Sequence, residues 1–204
     1  MPLSNKKVFF ADYAFYIPES VYEPAEDSFI FAENLVVKEG SYVLDMGTGC
    51  GILGIIASEK AARVIAVDIN PYAIRCAKEN AKLNGVSDKM SFLQGDLFTS
   101  IRIGEKFDFI LFNSPYLPTE STEANSWLGR AWSGGVTGRQ VIDRFICGAP
   151  KFLERGGHVF LMQSTLSNIN ETLQKFEENG LKTSVVAECA LPFFETIVLV
   201  KAER

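Results

Sequence analysis

Four residues with chemistry to offer, Asn113-Ser114-Pro115-Tyr116, close an otherwise apolar run, Phe107-Asp108-Phe109-Ile110-Leu111-Phe112. Their types suit one task, which is to hold a planar group bearing an NH₂. An amide or exocyclic amine nitrogen is a poor nucleophile because its lone pair is delocalised. A site can help by accepting both N–H bonds in a geometry that favours pyramidalisation, leaving the lone pair aimed at an electrophile. The Asn113 side-chain oxygen and the Ser114 carbonyl supply two acceptors. Tyr116 adds a flat face for stacking, and Pro115 pushes residue 114 toward extended backbone, which fixes the direction of its carbonyl. Holding nitrogen and electrophile in line supplies much of the acceleration without a strong base. The bland alternative is a strand-end turn built from Asn, Ser and Pro. What precedes these residues argues against it.

Upstream stand three acids, Asp45, Asp68 and Asp96, each at the end of an apolar stretch. Asp45 enters a glycine-rich turn, Gly47-Thr48-Gly49-Cys50-Gly51, where glycines let backbone approach a ligand; Cys50 serves as a small residue in it. Asp68 ends Val64-Ile65-Ala66-Val67 and is placed to accept from both hydroxyls of a ribose. Asp96 could accept from an adenine amino group. Gly49, Gly51 and Gly54 also satisfy a dinucleotide pattern, with Asp68 at roughly the expected ~20 residues. Asp45 separates the two readings. A carboxylate facing the crevice before the first glycine would repel a pyrophosphate and attract the ammonium group of S-adenosylmethionine. Any one acid could merely cap a turn, but three at successive strand ends point to a site. The electrophile is then a methyl group.

Elements that could position these residues alternate. Strands are expected at Tyr42–Met46, Val64–Val67, Met90–Leu93, Phe107–Phe112, Gly157–Met162, Thr183–Ala187 and Thr196–Val200. Helices are expected at Pro24–Val37, Ile52–Lys60, Pro71–Leu83, Val141–Leu153 and Ile169–Glu178. Val8–Tyr16 reads as one short strand or an extended arm, and Leu117–Gly138 as a long irregular loop of the kind that often carries function. Phe193-Phe194-Glu195 reads as core plus an edge, and His158 as a structural residue of a core strand. The pattern is that of one α/β domain, 1–204, with a mostly parallel sheet and no internal repeat or linker.

Composition narrows the class further. A chain of 204 residues with 47% apolar and 22% charged residues suits one well-buried domain. A net charge of −5 does not advertise nucleic acid, so nucleic acid is expected as a partner only indirectly. Four scattered cysteines and one histidine make a metal site improbable and suit a reducing cytoplasm. No apolar run approaches membrane-spanning length, so no membrane partner is expected.

Asp45–Gly51, Asp68, Asp96 and Asn113–Tyr116 together resemble the successive motifs of class I S-adenosylmethionine-dependent methyltransferases of the HemK type. Val21-Tyr22-Glu23-Pro24-Ala25-Glu26-Asp27-Ser28 at the front sharpens the match. So do Trp132-Ser133-Gly134-Gly135, Gly138-Arg139 and Asp143-Arg144-Phe145 behind the loop. These resemble the archaeal and eukaryotic branch, which methylates the glutamine of the Gly-Gly-Gln motif in class I peptide release factors. The resemblance implies a Rossmann-like fold, with a mostly parallel seven-stranded sheet, an antiparallel last strand and helices on both faces. Residues 1–39 would form an arm and helix over the cofactor, and 40–204 a core whose loop 117–138 lies on the substrate side. S-adenosylmethionine would be held by Ser28, Asp45, Gly47, Gly49, Gly51, Asp68, Asp96 and Asn113, with Ser28 near the methionine carboxylate. Asn113, Pro115 and Tyr116 would be catalytic, and Ser114 would join them in holding the substrate. A small zinc-binding activator subunit is implied as partner in a heterodimer. Where the family usually has proline stands Ser114. Trp127, Arg130 and Trp132 are either a substrate lid or packing within the loop. Nucleobase amines, a lysine side chain and a purely scaffolding role remain the alternatives.

Overall fold

The computed structural model describes residues 6–120 and 125–204. An antiparallel hairpin, β1 (Lys6–Phe10) and β2 (Tyr13–Ile17), leads into α1 (Glu26–Glu33). Next come β3 (Tyr42–Met46), α2 (Ile52–Ala57), β4 (Arg63–Asp68), α3 (Pro71–Leu83), β5 (Met90–Gln94) and β6 (Phe107–Asn113). The rear half holds α4 (Trp127–Trp132), α5 (Gln140–Gly148), β7 (Leu153–Ser164), α6 (Ile169–Glu178), β8 (Lys182–Ala190) and β9 (Thr196–Glu203). Seven strands form one sheet in the order β5-β4-β3-β6-β7-β9-β8, and only the pairings made by β9 are antiparallel. The expected fold class is the observed one.

The apolar run of β6 has the composition it does because both faces of the sheet are covered. Successive residues of a strand point to opposite faces. Phe109 and Leu111 accordingly join Val43, Phe31, Ile55 and Phe15 under α1, α2, α3 and the hairpin. Ile110 and Phe112 join Leu44, Ile142, Phe145 and Phe176 under α5 and α6. Strand order reverses between β3 and β6. In such sheets the connections diverge at that point and leave a crevice beyond the strand ends.

Several boundaries differ from expectation, each for a local reason. Val8–Tyr16 is a hairpin turning at Ala11, whose φ is +47°. Side chains at the end of α3 hold it: Oδ1 of Asn84, the residue that caps the helix, and Oδ1 of Asn80 accept from the N–H groups of Ala14 and Tyr16 at 3.0 and 2.9 Å. α1 starts after Pro24 and ends at Glu33, before Val36-Val37, where Val37 is drawn into the core. α5 gives way at Pro150 to a 3-10 turn, because proline cannot continue the helix ladder, and Leu153 opens β7 instead of closing a helix. Phe193 and Phe194 sit fully exposed on the turn between β8 and β9, not in the core.

The stretch expected as an irregular loop contains α4, capped by Ser126, whose hydroxyl accepts from the Gly129 N–H at 2.9 Å. Leu117 pairs with Ser133, folding the segment back on itself; residues 121–124 of it, like 1–5 of the expected arm, lie outside the described residues. Gly138 closes it behind the site. Its φ is +73°, and a Cβ there would lie 2.3 Å from the Tyr116 carbonyl oxygen. Buried Arg139 anchors the far end, donating to the Ser167 and Asn168 carbonyls at 2.6 and 2.8 Å and to Asp143 at 2.7 Å. Among the described residues no helix is long and apolar enough to cross a membrane, and no cluster of His, Cys, Asp and Glu could hold a metal ion.

Candidate active site

At the reversal point lies a cavity of about 600 Å³, within the usual range of roughly 300–1,000 Å³ for small-molecule sites. One wall is Gly47-Thr48-Gly49-Cys50 from the turn after β3, with Asp68 from β4 and Gly95-Asp96-Leu97 after β5. The opposite wall is Asn113–Leu117 with Trp127, Arg130 and Trp132 of α4, and Tyr22, Asp27 and Ser28 close the front. Residues separated along most of the chain therefore meet in one place.

Asp68 lines the cavity with both carboxylate oxygens already anchored. Oδ2 accepts from the Gly49 N–H at 2.9 Å and Oδ1 from the Asn70 N–H at 2.8 Å. Each oxygen retains a second lone pair, so two hydroxyls can still be accepted. Burial raises its pKa. Asp96 is both turn former and wall residue. Its backbone closes the 3-10 turn Leu97–Ser100, the N–H donating to the Thr99 hydroxyl at 3.1 Å and the carbonyl accepting from it at 2.8 Å, and its Oδ2 pairs with the Arg144 guanidinium at 2.6 Å. Leu97, at φ +49°, is turned into the cavity wall in a conformation that costs an ordinary side chain energy.

Two residues expected to touch the cofactor lie off the cavity wall. Asp45 does not face the crevice: it is 1% exposed and lies beneath the glycine turn, off the cavity wall. The Thr48 hydroxyl at 2.6 Å and the Gly54 N–H at 3.0 Å both donate to its Oδ2 and draw it inward. Gly51 is off the wall as well. A Cβ there would lie 3.1 Å from the Ala77 Cβ, so this glycine serves the contact of α2 with α3.

Burial, with the Asp68 charge nearby, pushes the Asp45 carboxyl up to about 7 from its ordinary 3.8. Because the folded value lies above the unfolded one, the stability present below about pH 4 is lost as pH rises toward 7. A shift of this size corresponds to about 4 kcal/mol. Asp45→Asn is expected to remove that decline, so denaturant unfolding of variant and parent should diverge between pH 4 and 8. Parallel stability profiles would contradict the buried, raised carboxyl.

Asn113 ends β6. Its Nδ2 donates to Asp27 Oδ2 at 3.1 Å and to Ser28 Oγ at 3.2 Å, while its Oδ1 is buried without a hydrogen-bond partner. Ser114 donates from its hydroxyl to the Met162 carbonyl of β7 at 2.8 Å, a tether that replaces the stiffness of a proline ring. The Tyr116 hydroxyl donates to Asp27 Oδ2 at 3.3 Å, and burial together with the Asp27 charge raises its pKa strongly. The Arg130 guanidinium lies 5.0 Å over the Trp127 ring, so these residues both pack the segment and form cavity wall. His158 lies off the cavity on β7 against Phe109, and burial lowers its pKa.

Sequence reasoning missed two participants. Asp27 stands in the front family motif with no role assigned to it, yet it hydrogen-bonds Asn113 and Tyr116. Arg144 stands in a family motif with no signal that it reaches Asp96. Both act through long-range pairs that leave no local pattern.

The family model described as ribosomal protein L11 methyltransferase (PrmA) matches residues 28–114. Among solved structures, the Thermus thermophilus 16S rRNA N2 G1207 methyltransferase superposes with a TM-score of 0.75 at 19% identity, over 100% of this chain and 51% of that one. The E. cuniculi Mtq2–Trm112 complex, described as methylating the eRF1 termination factor, gives 0.72 at 25% identity over 91% and 99%. Fold and site define a class I methyltransferase, whose methyl donor is S-adenosylmethionine. A putative protein N5-glutamine methyltransferase of Methanocaldococcus jannaschii is 45% identical over 88% of this chain and 90% of its own length. Human methyltransferase HEMK2 is 32% identical over 79% and 80%. The chain belongs to the HemK family of methyltransferases.

The residues present fit the donor. Asp27 and Asp68 on the wall suit a cationic ligand, whereas the Asp96 charge is balanced by Arg144. Asp68 keeps lone pairs for a ribose, and Gly47 and Gly49 leave the floor free of side chains.

Proposed function

We propose that this chain methylates the side-chain amide nitrogen of the glutamine in the Gly-Gly-Gln motif of a class I peptide release factor. The observation that carries the reading is Asn113 Oδ1, a buried acceptor with no donor, beside a cavity suited to the methyl donor. An orphaned buried acceptor costs about 1–3 kcal/mol, which an incoming N–H recovers. The names of the relatives add weight, since several are release factor glutamine methyltransferases.

When bound, S-adenosylmethionine supplies an electrophilic methyl group on a sulfonium. Asp68 would hold the ribose, Asp96 the adenine end, and Ser28 the methionine end, with Gly47 and Gly49 as backbone floor. Asp45 and Gly51 would act from behind, fixing the shape of the turn. Asn113 Oδ1 and the Ser114 carbonyl would accept the two N–H bonds of the glutamine amide. Pro115 would keep that carbonyl aimed, and Tyr116 would stack on the amide plane. No strong base is required, because the N–H proton becomes acidic once the nitrogen has acquired its fourth bond. The protein would act as a single cytoplasmic domain together with a small zinc-binding activator subunit.

Release factor, ribosomes and bulk RNA, incubated side by side with labelled donor and with or without the activator, test this. One methyl on the Gly-Gly-Gln glutamine is the expected outcome. Transfer confined to RNA, or to a lysine, would overturn it.

A further inference from the structure

The amide of Asn113 can be turned end over end without changing its shape, so only what surrounds it decides which end faces the cavity. In this protein Asp27 decides it. Asp27 lies in the first turn of α1 and is 6% exposed. Its Oδ1 accepts from the Ser28 N–H at 2.6 Å, the Ser28 hydroxyl at 3.1 Å and the Tyr22 hydroxyl at 3.1 Å. Its Oδ2 accepts from Asn113 Nδ2 at 3.1 Å and the Tyr116 hydroxyl at 3.3 Å. An ionised carboxylate can only accept, so every group around it must present a proton. Ser28 spends its own proton on Asp27, and its oxygen therefore also faces Asn113 as an acceptor. Two acceptors fix Nδ2 toward the front, and Oδ1 is left without a partner.

We infer that Asp27 is a positioning and specificity-determining residue, which by locking the Asn113 amide makes the site take an N–H donor and refuse a carboxylate of the same shape. The inference rests on the proposed amide substrate and explains how glutamine would be told from glutamate. A site built around one hydrogen bond rejects the isostere that cannot make it far more strongly than it rejects a change of size. Glutamate would place two acceptor oxygens against a buried acceptor.

Asp27→Asn tests it. The Oδ1 position must stay an acceptor for the Ser28 N–H, so the new NH₂ falls where Oδ2 was. Asn113 must then turn its oxygen to meet that NH₂, which puts Nδ2 into the cavity. The experiment compares the binding of a Gly-Gly-Gln release factor and its Gln→Glu form to parent and variant, alongside kcat and donor affinity. The expected results, read at saturating donor because the Asp27 charge also faces the donor, are a fall of about 100-fold in kcat and a preference for Gln over Glu reduced by about tenfold or reversed. Simple loss of structure would weaken both forms together and could not shift their ratio toward glutamate. If Asp27→Asn does not fold, Ser28→Ala removes one of the two acceptors facing Nδ2. It is expected to move the same ratio in the same direction by a smaller factor. An unchanged Gln-to-Glu ratio in a folded variant overturns the role of Asp27. No transfer by the parent chain, with activator present, overturns the substrate reading and the inference with it.

Discussion

Asn113→Ala is expected to lower kcat by about 10³-fold while leaving the affinity for S-adenosylmethionine within a factor of about three. The substitution removes the acceptor on which the substrate nitrogen would be oriented and leaves the backbone of β6 paired to β7 through Asn113 and Met162. The reacting amide would then be held by the Ser114 carbonyl alone, free to rotate out of line. Most of the cofactor wall, built from the ends of β3, β4 and β5, lies on the other side of the reversal point, and Ser28, which loses the Asn113 donor, keeps its two hydrogen bonds to Asp27. Single-turnover transfer combined with calorimetric titration of the donor separates the two quantities. Equal turnover by the variant would remove Asn113 from the reaction.

Asp68→Ala carries the second largest expected effect, a rise of about 100-fold or more in the donor's Kd. Hydrogen bonds to a charged acceptor contribute about 1.5–3 kcal/mol each, and two ribose hydroxyls would lose theirs. Two internal donors lose their acceptor as well, Gly49 N–H and Asn70 N–H, so the glycine turn loses the strut that sets its shape. Asparagine is no conservative replacement here. One end of its amide would aim an NH₂ at a backbone N–H, whichever way it turned. Calorimetry with the donor decides the matter, and an unchanged Kd for Asp68→Ala would dismiss Asp68 as a ribose ligand.

Much of this arrangement was legible in the residues. The bounds of β3, α3 and α6 follow from apolar patterning and from clear punctuation, such as Pro71 at the start of α3, where Asn70 accepts from the Tyr72 N–H at 2.9 Å. Gly47, Gly49, Asp68, Asp96, Ser28 and Asn113–Tyr116 do meet at one cavity. Position along a strand foretells which end of the sheet a residue reaches, but not which way its side chain turns there. Asp45 shows the difference: its place at a strand end was readable, whereas the pull of Thr48 and Gly54 was not. The hairpin was missed because Ala11-Asp12 is no ordinary turn pair. α4 was hidden because the glycines after it dominate the local composition. Asp27 was the deepest omission, since its meaning depends on a residue 86 positions away.

The reversal of strand order between β3 and β6 divides the labour of the site. Most of what suits the methyl donor, Asp27 and Ser28 of α1 apart, hangs on β3, β4 and β5, and most of what would choose the acceptor hangs on β6 and the segment behind it. The two sets share a floor but few tethers, so mutations that remodel the acceptor half need not disturb the donor half. Such a molecule can acquire a new substrate without relearning how to hold its methyl group, and Asp27, reaching from the front across to Asn113, is one of the few places where the two inheritances are tied.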